Sequence, residues 1–106
     1  MNPRLTILVD DCKHFEGMDI ICRNGMAAIA VLSSINEAPG LVLMDHDLGD
    51  GPDGKEVVER ILDQNLDFWP ISFQMVSMNP DGVKRIEGVL KDHGYRKADG
   101  LWTREE

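Results

Sequence analysis

Acidic side chains follow two apolar runs of the sequence, at the points where buried strands are predicted to end. The run at 5–9 leads into Asp10 and Asp11, and the run at 41–44 leads into Asp45, His46 and Asp47. In open α/β sheets the ligand crevice lies beyond the carboxyl ends of the strands. The same residue types are also common in turns, so the site hypothesis depends on whether these strands are neighbours.

A third polar segment, with Ser77 and Asn79, follows the apolar run at 71–76. In a doubly wound sheet these three runs are neighbouring strands, and their ends bring the polar side chains into one crevice. Clustered carboxylates repel one another and raise their own pKa values unless a cation lies among them. Because Mg²⁺ prefers oxygen ligands and water, we predict a divalent metal site with Mg²⁺ as the expected ion. Chance clustering in an acidic chain is the alternative.

The elements that position these residues alternate between strand and helix. Strands are predicted at 5–9, 19–22, 41–44 and 71–76, helices at 26–35, 55–65 and 83–93, and a hairpin at 95–104. The segment 13–18 is too short for a full helix and is predicted to be a loop or a single turn. Asp99-Gly100 is a strong hairpin signal. The pattern predicts an α/β fold of three layers around a parallel sheet, in a single domain that covers 1–106.

Composition narrows the functional classes. The chain has 106 residues, 42% of them hydrophobic, and a formal net charge of -8. This charge argues against direct binding of duplex nucleic acid, which needs clustered Lys and Arg, but allows a small phosphate-containing ligand held through a metal. No apolar stretch is long enough to span a membrane. Cys12 and Cys22 have neither metal-ligand nor disulfide spacing, which indicates reduced thiols in a cytoplasmic protein.

Three motifs carry a family resemblance: LVDDCK at 8–13, MDHDLG at 44–49 and VSMNPDG at 76–82. An acidic pair after the first strand, an Asp after the third and a Ser after the fourth resemble the receiver domains of two-component response regulators. The motifs more closely resemble the cyclic-phosphate processing receiver domains, a divergent relative of that family. The resemblance implies a receiver-like, flavodoxin-like fold, here with a reduced first helix. A fifth strand ending in Lys-Pro is missing, and Lys97, in the predicted hairpin, is a weak substitute for that Lys.

The resemblance also implies a role for each site residue. It implies metal ligation by Asp10, Asp11 and Asp45, phosphate contacts from Lys13, Ser77 and Asn79, and an extension of the site by His46 and Asp47. If the site is catalytic, we predict that Asp45 and His46 carry the catalysis. Two of these residues have simpler alternatives: His46 can orient an Asp instead of moving a proton, and Asn79 can begin a helix. Lys13 replaces an Arg of the family and keeps its charge without the bidentate fork. Val76 replaces a His of the family, which weakens the prediction of turnover.

Three functions remain open at this level. The first is a receiver-like domain that binds or processes a cyclic-phosphate, nucleotide- or RNA-derived ligand, as a metal-dependent hydrolase if it turns over. The second is a phosphoacceptor switch in which Asp45 takes a phosphoryl group and Ser77 responds to it. The third is an interaction protein that keeps the fold, has lost the chemistry and binds a protein partner.

Overall fold

The structure, a computed structural model, describes residues 4–64 and 68–104 and contains the predicted strands and helices. The strands are β1 (Thr6–Val9), β2 (Ile20–Cys22), β3 (Leu41–Met44), β4 (Ser72–Met75), β5 (Tyr95–Ala98) and β6 (Leu101–Arg104). The helices are α1 (Gly25–Ser34), α2 (Gly54–Asp63) and α3 (Pro80–Asp92). α3 begins before the predicted residue 83 because Asn79 caps it and Pro80 takes the first helical position. The predicted end of α2 at residue 65 lies outside the described residues.

β1, β3 and β4 form the parallel centre of a six-stranded sheet whose order is β2-β1-β3-β4-β6-β5. Val9 pairs with Met44 and Met44 pairs with Met75, so the three central strands end at the same level. The prediction that these strands are parallel neighbours is confirmed. Their carboxyl ends form one edge of the sheet, and the predicted site residues follow at that edge.

The helices of the described chain lie on one face of the sheet, since α2 packs between α1 and α3. The segment 10–19 joins β1 to β2 without a helix, which confirms the reduced first helix. Because crossovers between parallel strands are right-handed, this segment lies on the face opposite the helices. The layers are therefore unequal, with helices on one side of the sheet and an irregular segment on the other. That segment begins with the acidic pair.

The hydrophobic core lies between the sheet and the helices. α2 places its buried apolar side chains at helical spacing, and they are Val57, Val58, Ile61 and Leu62. They pack in one cluster with alternate strand residues such as Val42 and Phe73. This packing holds the start of α2 directly behind the end of β3. Over residues 4–64 and 68–104, no helix is both long and apolar enough to cross a membrane.

The C-terminal hairpin is confirmed and closes one side of the sheet. Its turn places Asp99 at φ 55° and Gly100 at φ 81°, the left-handed backbone that a two-residue hairpin turn requires. β6 pairs antiparallel with β4, and β5 pairs antiparallel with β6. Tyr95 and Trp102 are buried, and the Tyr95 hydroxyl donates a 2.5 Å hydrogen bond to the carbonyl of Pro70. The hairpin is thus anchored to the loop that precedes β4.

Candidate metal and phosphate site

Asp10 lies at the end of β1 and is completely buried. Its Oδ1 accepts the backbone N–H groups of Cys12, at 3.0 Å, and Lys13, at 2.8 Å, and these bonds fix the turn after the strand. Its Oδ2 is buried and has no hydrogen-bond donor among the described residues. The Lys13 ammonium lies 3.8 Å from Oδ2, beyond hydrogen-bond length. A buried carboxylate oxygen in this state is suited to bind a cation.

Asp11 and Cys12 lie beside Asp10 and are exposed. One carboxylate oxygen from each of Asp10 and Asp11 and the Cys12 Sγ all lie within 4.8 Å of one another. Partial desolvation and the two neighbouring carboxylates raise the pKa of the Cys12 thiol, which keeps it protonated at neutral pH. The acidic pair therefore converges, with a thiol beside it whose position the sequence analysis did not anticipate. In the sequence, the one feature that could have indicated a place for Cys12 in this group is that it follows Asp11 directly.

Asp45 lies at the end of β3 and is 7% exposed. Its Oδ1 accepts the backbone N–H of His46 at 2.8 Å, and the Ser77 hydroxyl lies close enough to its carboxylate to lower its pKa. Burial raises the pKa of Asp45 and the charge of Asp10 adds to the rise, against the lowering effect of Ser77, His46 and Lys13. Asp45 therefore interacts with Asp10 electrostatically. It does not join the close group of donors formed by the acidic pair and Cys12.

Lys13 connects the ends of β1 and β4. Its Nζ donates a short hydrogen bond to the carbonyl of Val76, which follows β4, and lies 3.8 Å from Oδ2 of Asp10. The structure thus places the positive charge of Lys13, a predicted phosphate-binding residue, at the strand ends. Lys97 instead lies in β5 and pairs with Glu87 at 3.5 Å.

His46 points toward the helices. His46 is 5% exposed, and its Nδ1 lies 3.1 Å from Asp47 Oδ1. Its Nε2 lies 3.5 Å from Asp53 Oδ2 and has no hydrogen-bond partner among the described residues. The ring packs against Gly82 at the start of α3, where an added Cβ would lie 2.4 Å from the ring Cγ. Of the two roles open for His46, this geometry favours orienting neighbouring groups. It holds the loop after β3 against the start of α3.

Asn79 and Asp47 are also tied together at the start of α3. The Asn79 Oδ1 accepts the N–H of Gly82 at 3.2 Å, as a helix N-cap does. Its Nδ2 lies 3.4 Å from each carboxylate oxygen of Asp47, and its backbone N–H donates to Ser77 Oγ at 3.0 Å. The Asn79 side chain is therefore engaged in capping and in holding Asp47. Ser77 is the member of this segment that faces Asp45.

The loop from β3 to α2 is fixed by local signals and by close packing. Asp53 and Glu56 form a capping box at the start of α2, a pattern that is readable in the sequence. Gly54 lies so close to the carbonyl oxygen of Asp45 that an added Cβ would be 2.1 Å from it. The contact between Gly82 and His46 has no comparable local signal, because it joins residues that are distant in sequence.

The resulting site has a defined chemical character. Buried carboxylates, an oxygen without a donor, a hydroxyl and an ammonium group meet at the ends of three neighbouring strands. Oxygen donors of this kind fit a hard divalent cation. The hydroxyl and the ammonium group fit phosphate oxygens.

Comparison with solved structures identifies receiver domains. The Mn²⁺-bound form of response regulator Rcp1 is 26% identical, with a TM-score of 0.61 over 82% of this chain and 76% of that chain. The N-terminal domain of a response regulator/sensory box/GGDEF protein from Carboxydothermus hydrogenoformans is 25% identical, with a TM-score of 0.54 over 80% of this chain and 74% of that chain.

A third structure is a fusion that carries a yeast Spc42 trimeric coiled coil. It is 25% identical, with a TM-score of 0.58 over 84% of this chain, and the match spans 63% of the fusion. The comparison with curated proteins gives no match. The family model described as "Cyclic-phosphate processing Receiver domain" matches residues 5–92. The chain therefore belongs to the cyclic-phosphate processing receiver domain family.

Proposed function

We propose that this receiver-like domain binds a divalent cation at the strand ends and, with it, a phosphate-containing ligand. The observation that carries the proposal is the buried Oδ2 of Asp10, which has no hydrogen-bond donor among the described residues. Leaving such an oxygen unpaired is costly. A cation bound by Asp10 and Asp11 would remove that cost. It would also offset the charge of Asp10, which adds to the rise that burial gives the pKa of Asp45.

Oxygen donors favour Mg²⁺, and Mn²⁺ accepts the same set. The solved structure of the response regulator Rcp1 is a Mn²⁺-bound form, so a protein similar to this chain binds a divalent metal, which supports the proposal. When bound, the cation supplies positive charge that polarises a phosphoryl oxygen. We infer Mg²⁺ as the ion because the residues expected to bind it are carboxylates.

The chain's own residues would hold the phosphate beside the cation. Among the described residues of the site, Lys13 is the one that contributes an ammonium group. Its Nζ contacts Asp10 and the carbonyl of Val76. A phosphate oxygen replacing that carbonyl as acceptor would gain a charge-assisted hydrogen bond. Ser77, which lies beside Asp45, would donate its hydroxyl to the same phosphate. The ligand class that we propose is a cyclic-phosphate compound of nucleotide or RNA origin, and the description of the family supports its cyclic-phosphate part.

Binding is better supported than turnover. Hydrolysis requires a group that moves a proton close to the phosphate. Val76 supplies no such group, and both ring nitrogens of His46 face Asp47 and Asp53. We therefore propose a ligand-binding domain and rank hydrolysis of the ligand below binding. The predicted cytoplasmic location and a protein partner belong to the same proposal.

A phosphoacceptor switch is the second candidate. It is favoured by the Ser77 hydroxyl beside Asp45 and by the position of Lys13, which supplies the positive charge that such a site needs. It ranks second because the Asp45 carboxylate already accepts the His46 N–H, and because Asp47 adds negative charge directly beyond it.

Calorimetry with a 2′,3′-cyclic nucleotide tests the proposal. Wild-type protein should bind the nucleotide with Mg²⁺ and bind it at least tenfold more weakly in EDTA. Asp10→Asn, which keeps the shape of the side chain, should behave in Mg²⁺ as wild type does in EDTA. Asp99→Asn, a change of the same charge in the exposed hairpin turn, is the matched control. Metal-independent binding would refute the proposal.

A further inference from the structure

The strand-end site contains a group that a magnesium site does not use, the thiol of Cys12. The chain has two cysteines, of which Cys12 is exposed and Cys22 is buried in the core. Free cysteine is among the residue types that are most often fully buried. Its chemical reactivity, more than its packing, usually decides its role. The exposed thiol beside the acidic pair therefore calls for a chemical explanation.

A role as a nucleophile or redox sensor does not fit this thiol. The thiolate is the reactive form of cysteine, and sites that use it lower the pKa with neighbouring positive charge. Cys12 has the opposite surroundings, because partial desolvation and the carboxylates of Asp11 and Asp10 raise its pKa, against a smaller lowering by Lys13. A bound cation would reverse this balance, since coordination to a metal deprotonates a thiol outright.

The position of the Cys12 sulfur suits metal binding. One carboxylate oxygen from each of Asp10 and Asp11 and the Cys12 Sγ all lie within 4.8 Å of one another. Zinc binds thiolate sulfur at about 2.3 Å and carboxylate oxygen at about 2.0–2.2 Å, so two of its ligand atoms lie at most about 4.5 Å apart. Asp11 and Cys12 are both exposed, and a small rotation of either side chain brings the three atoms within that distance.

Asp10 gives a second observation, independent of the thiol, that points to a cation. Its side chain is completely buried, and its Oδ2 has no hydrogen-bond donor among the described residues. Its Oδ1 is held by the backbone N–H groups of Cys12 and Lys13, at 3.0 and 2.8 Å. The carboxylate is therefore fixed beside the residue that carries the thiol, and one buried oxygen remains for a ligand.

We propose that Cys12 adds a thiolate ligand to the strand-end cation site, so that this site binds Zn²⁺ and other thiophilic divalent cations in preference to Mg²⁺. The inference rests on the proposed function, because it uses the cation site of Asp10 and Asp11 and names the class of cation that the site prefers. Zn²⁺ accepts thiolate and carboxylate ligands together, whereas Mg²⁺ takes oxygen ligands. On binding, the thiol releases its proton to solvent and the sulfur donates an electron pair to Zn²⁺. Zn²⁺ therefore displaces Mg²⁺ from the site.

Cadmium tests the sulfur ligand directly, because Cd²⁺ is thiophilic and a cadmium–thiolate bond absorbs in the ultraviolet. Adding Cd²⁺ to the reduced protein should produce this absorption band in the wild type. The band should be absent in Cys12→Ser, which replaces the sulfur by oxygen at an exposed position, and present in Cys22→Ala, which removes the buried thiol. In calorimetric titrations, the ratio of Zn²⁺ affinity to Mg²⁺ affinity should fall at least tenfold in Cys12→Ser, about 1.4 kcal/mol, and stay unchanged in Cys22→Ala.

A second measurement needs no variant. In the wild type, Zn²⁺ should slow alkylation of Cys12 by iodoacetamide more strongly than Mg²⁺ does, because only Zn²⁺ binds the sulfur. Circular dichroism and thermal melts without metal should show that Cys12→Ser keeps the wild-type fold, since the side chain is exposed.

The outcomes separate this inference from the proposed function. If the wild type binds Mg²⁺ but gives no cadmium–thiolate band, or if Cys12→Ser leaves the affinity ratio unchanged, the inference is overturned and the proposed function stands. If the wild type gives a band that Cys12→Ser abolishes but binds no Mg²⁺, the inference is supported and the magnesium site is refuted. Equal alkylation rates in Zn²⁺ and Mg²⁺ would also overturn the inference.

Discussion

Replacing Gly82 by alanine should destabilise the protein through one contact with His46. An added Cβ would lie 2.4 Å from the ring Cγ and 2.6 Å from Nδ1, distances that force the buried ring or the start of α3 to move. Overpacking of this kind costs about 1–3 kcal/mol, and the usual preference of a helix for Ala over Gly recovers about 0.5–1 kcal/mol. The net loss of about 1–2 kcal/mol should lower Tm by roughly 5–10 °C.

The same helix provides the matched control. Gly88 has open space where its Cβ would be, so Gly88→Ala should raise Tm by a few degrees. Chemical denaturation and thermal melts of the two variants measure the difference directly. In a His46→Ala background, the ring that obstructs the new methyl group is absent, and Gly82→Ala should lose most of its penalty. Equal stability of Gly82→Ala and Gly88→Ala would refute the structural role assigned to His46.

Three further predictions follow from the charges of the site and its surroundings. Burial raises the pKa of Asp45 above the ordinary 3.8, so the folded state loses stability as pH rises and Asp45 ionises. Asp45→Asn should therefore raise Tm in EDTA at pH 7, and the gain should disappear below about pH 4. An equal gain in Tm at both pH values would contradict this prediction. Burial alone lowers the pKa of His93, but hydrogen bonds to Val89 and Asp63 raise it above 6.5, so the stabilisation from these bonds is present at low pH and lost as pH rises through the folded pKa. Asp63→Asn should therefore cost more stability at pH 5.5 than at pH 8.5. A larger loss at pH 8.5 in thermal melts would be evidence against the bond between His93 and Asp63. Acetyl phosphate with Mg²⁺ should add little or no phosphoryl group to the protein by intact mass, whereas stoichiometric modification that Asp45→Asn abolishes would move the phosphoacceptor switch to first place.

The sequence predicts the strand ends well because a continuous apolar run is a strong local signal. Asp10 and Asp45 follow such runs, and parallel pairing then fixes their meeting at one edge. The sequence could not determine where His46 points, because the alternation of side chains along a strand is lost once the backbone turns. That direction depends on Gly82, a residue on another element.

Two further features could not be predicted from the sequence pattern alone: the contact made by Lys13 and the side of the sheet that the helices cover. Lys13 lies in an irregular segment without periodicity, so its contact with the Val76 carbonyl could not be anticipated from local pattern. The helical spacing of α2 predicts a buried face but does not say which side of the sheet covers it. Crossover handedness supplies that information only when the strand order is known.

Calorimetric titration of the metal-free protein with Mg²⁺ tests the central claim, that the strand ends form a cation site. Wild-type protein and Asp99→Asn should bind one equivalent, and a hundredfold excess of free Mg²⁺ over Kd should stabilise the fold by about 2.7 kcal/mol. Asp10→Asn should show no saturable binding, because it removes the charge of the buried carboxylate whose oxygen has no hydrogen-bond donor. Absence of binding by the wild type, or unchanged binding in Asp10→Asn, would contradict the claim.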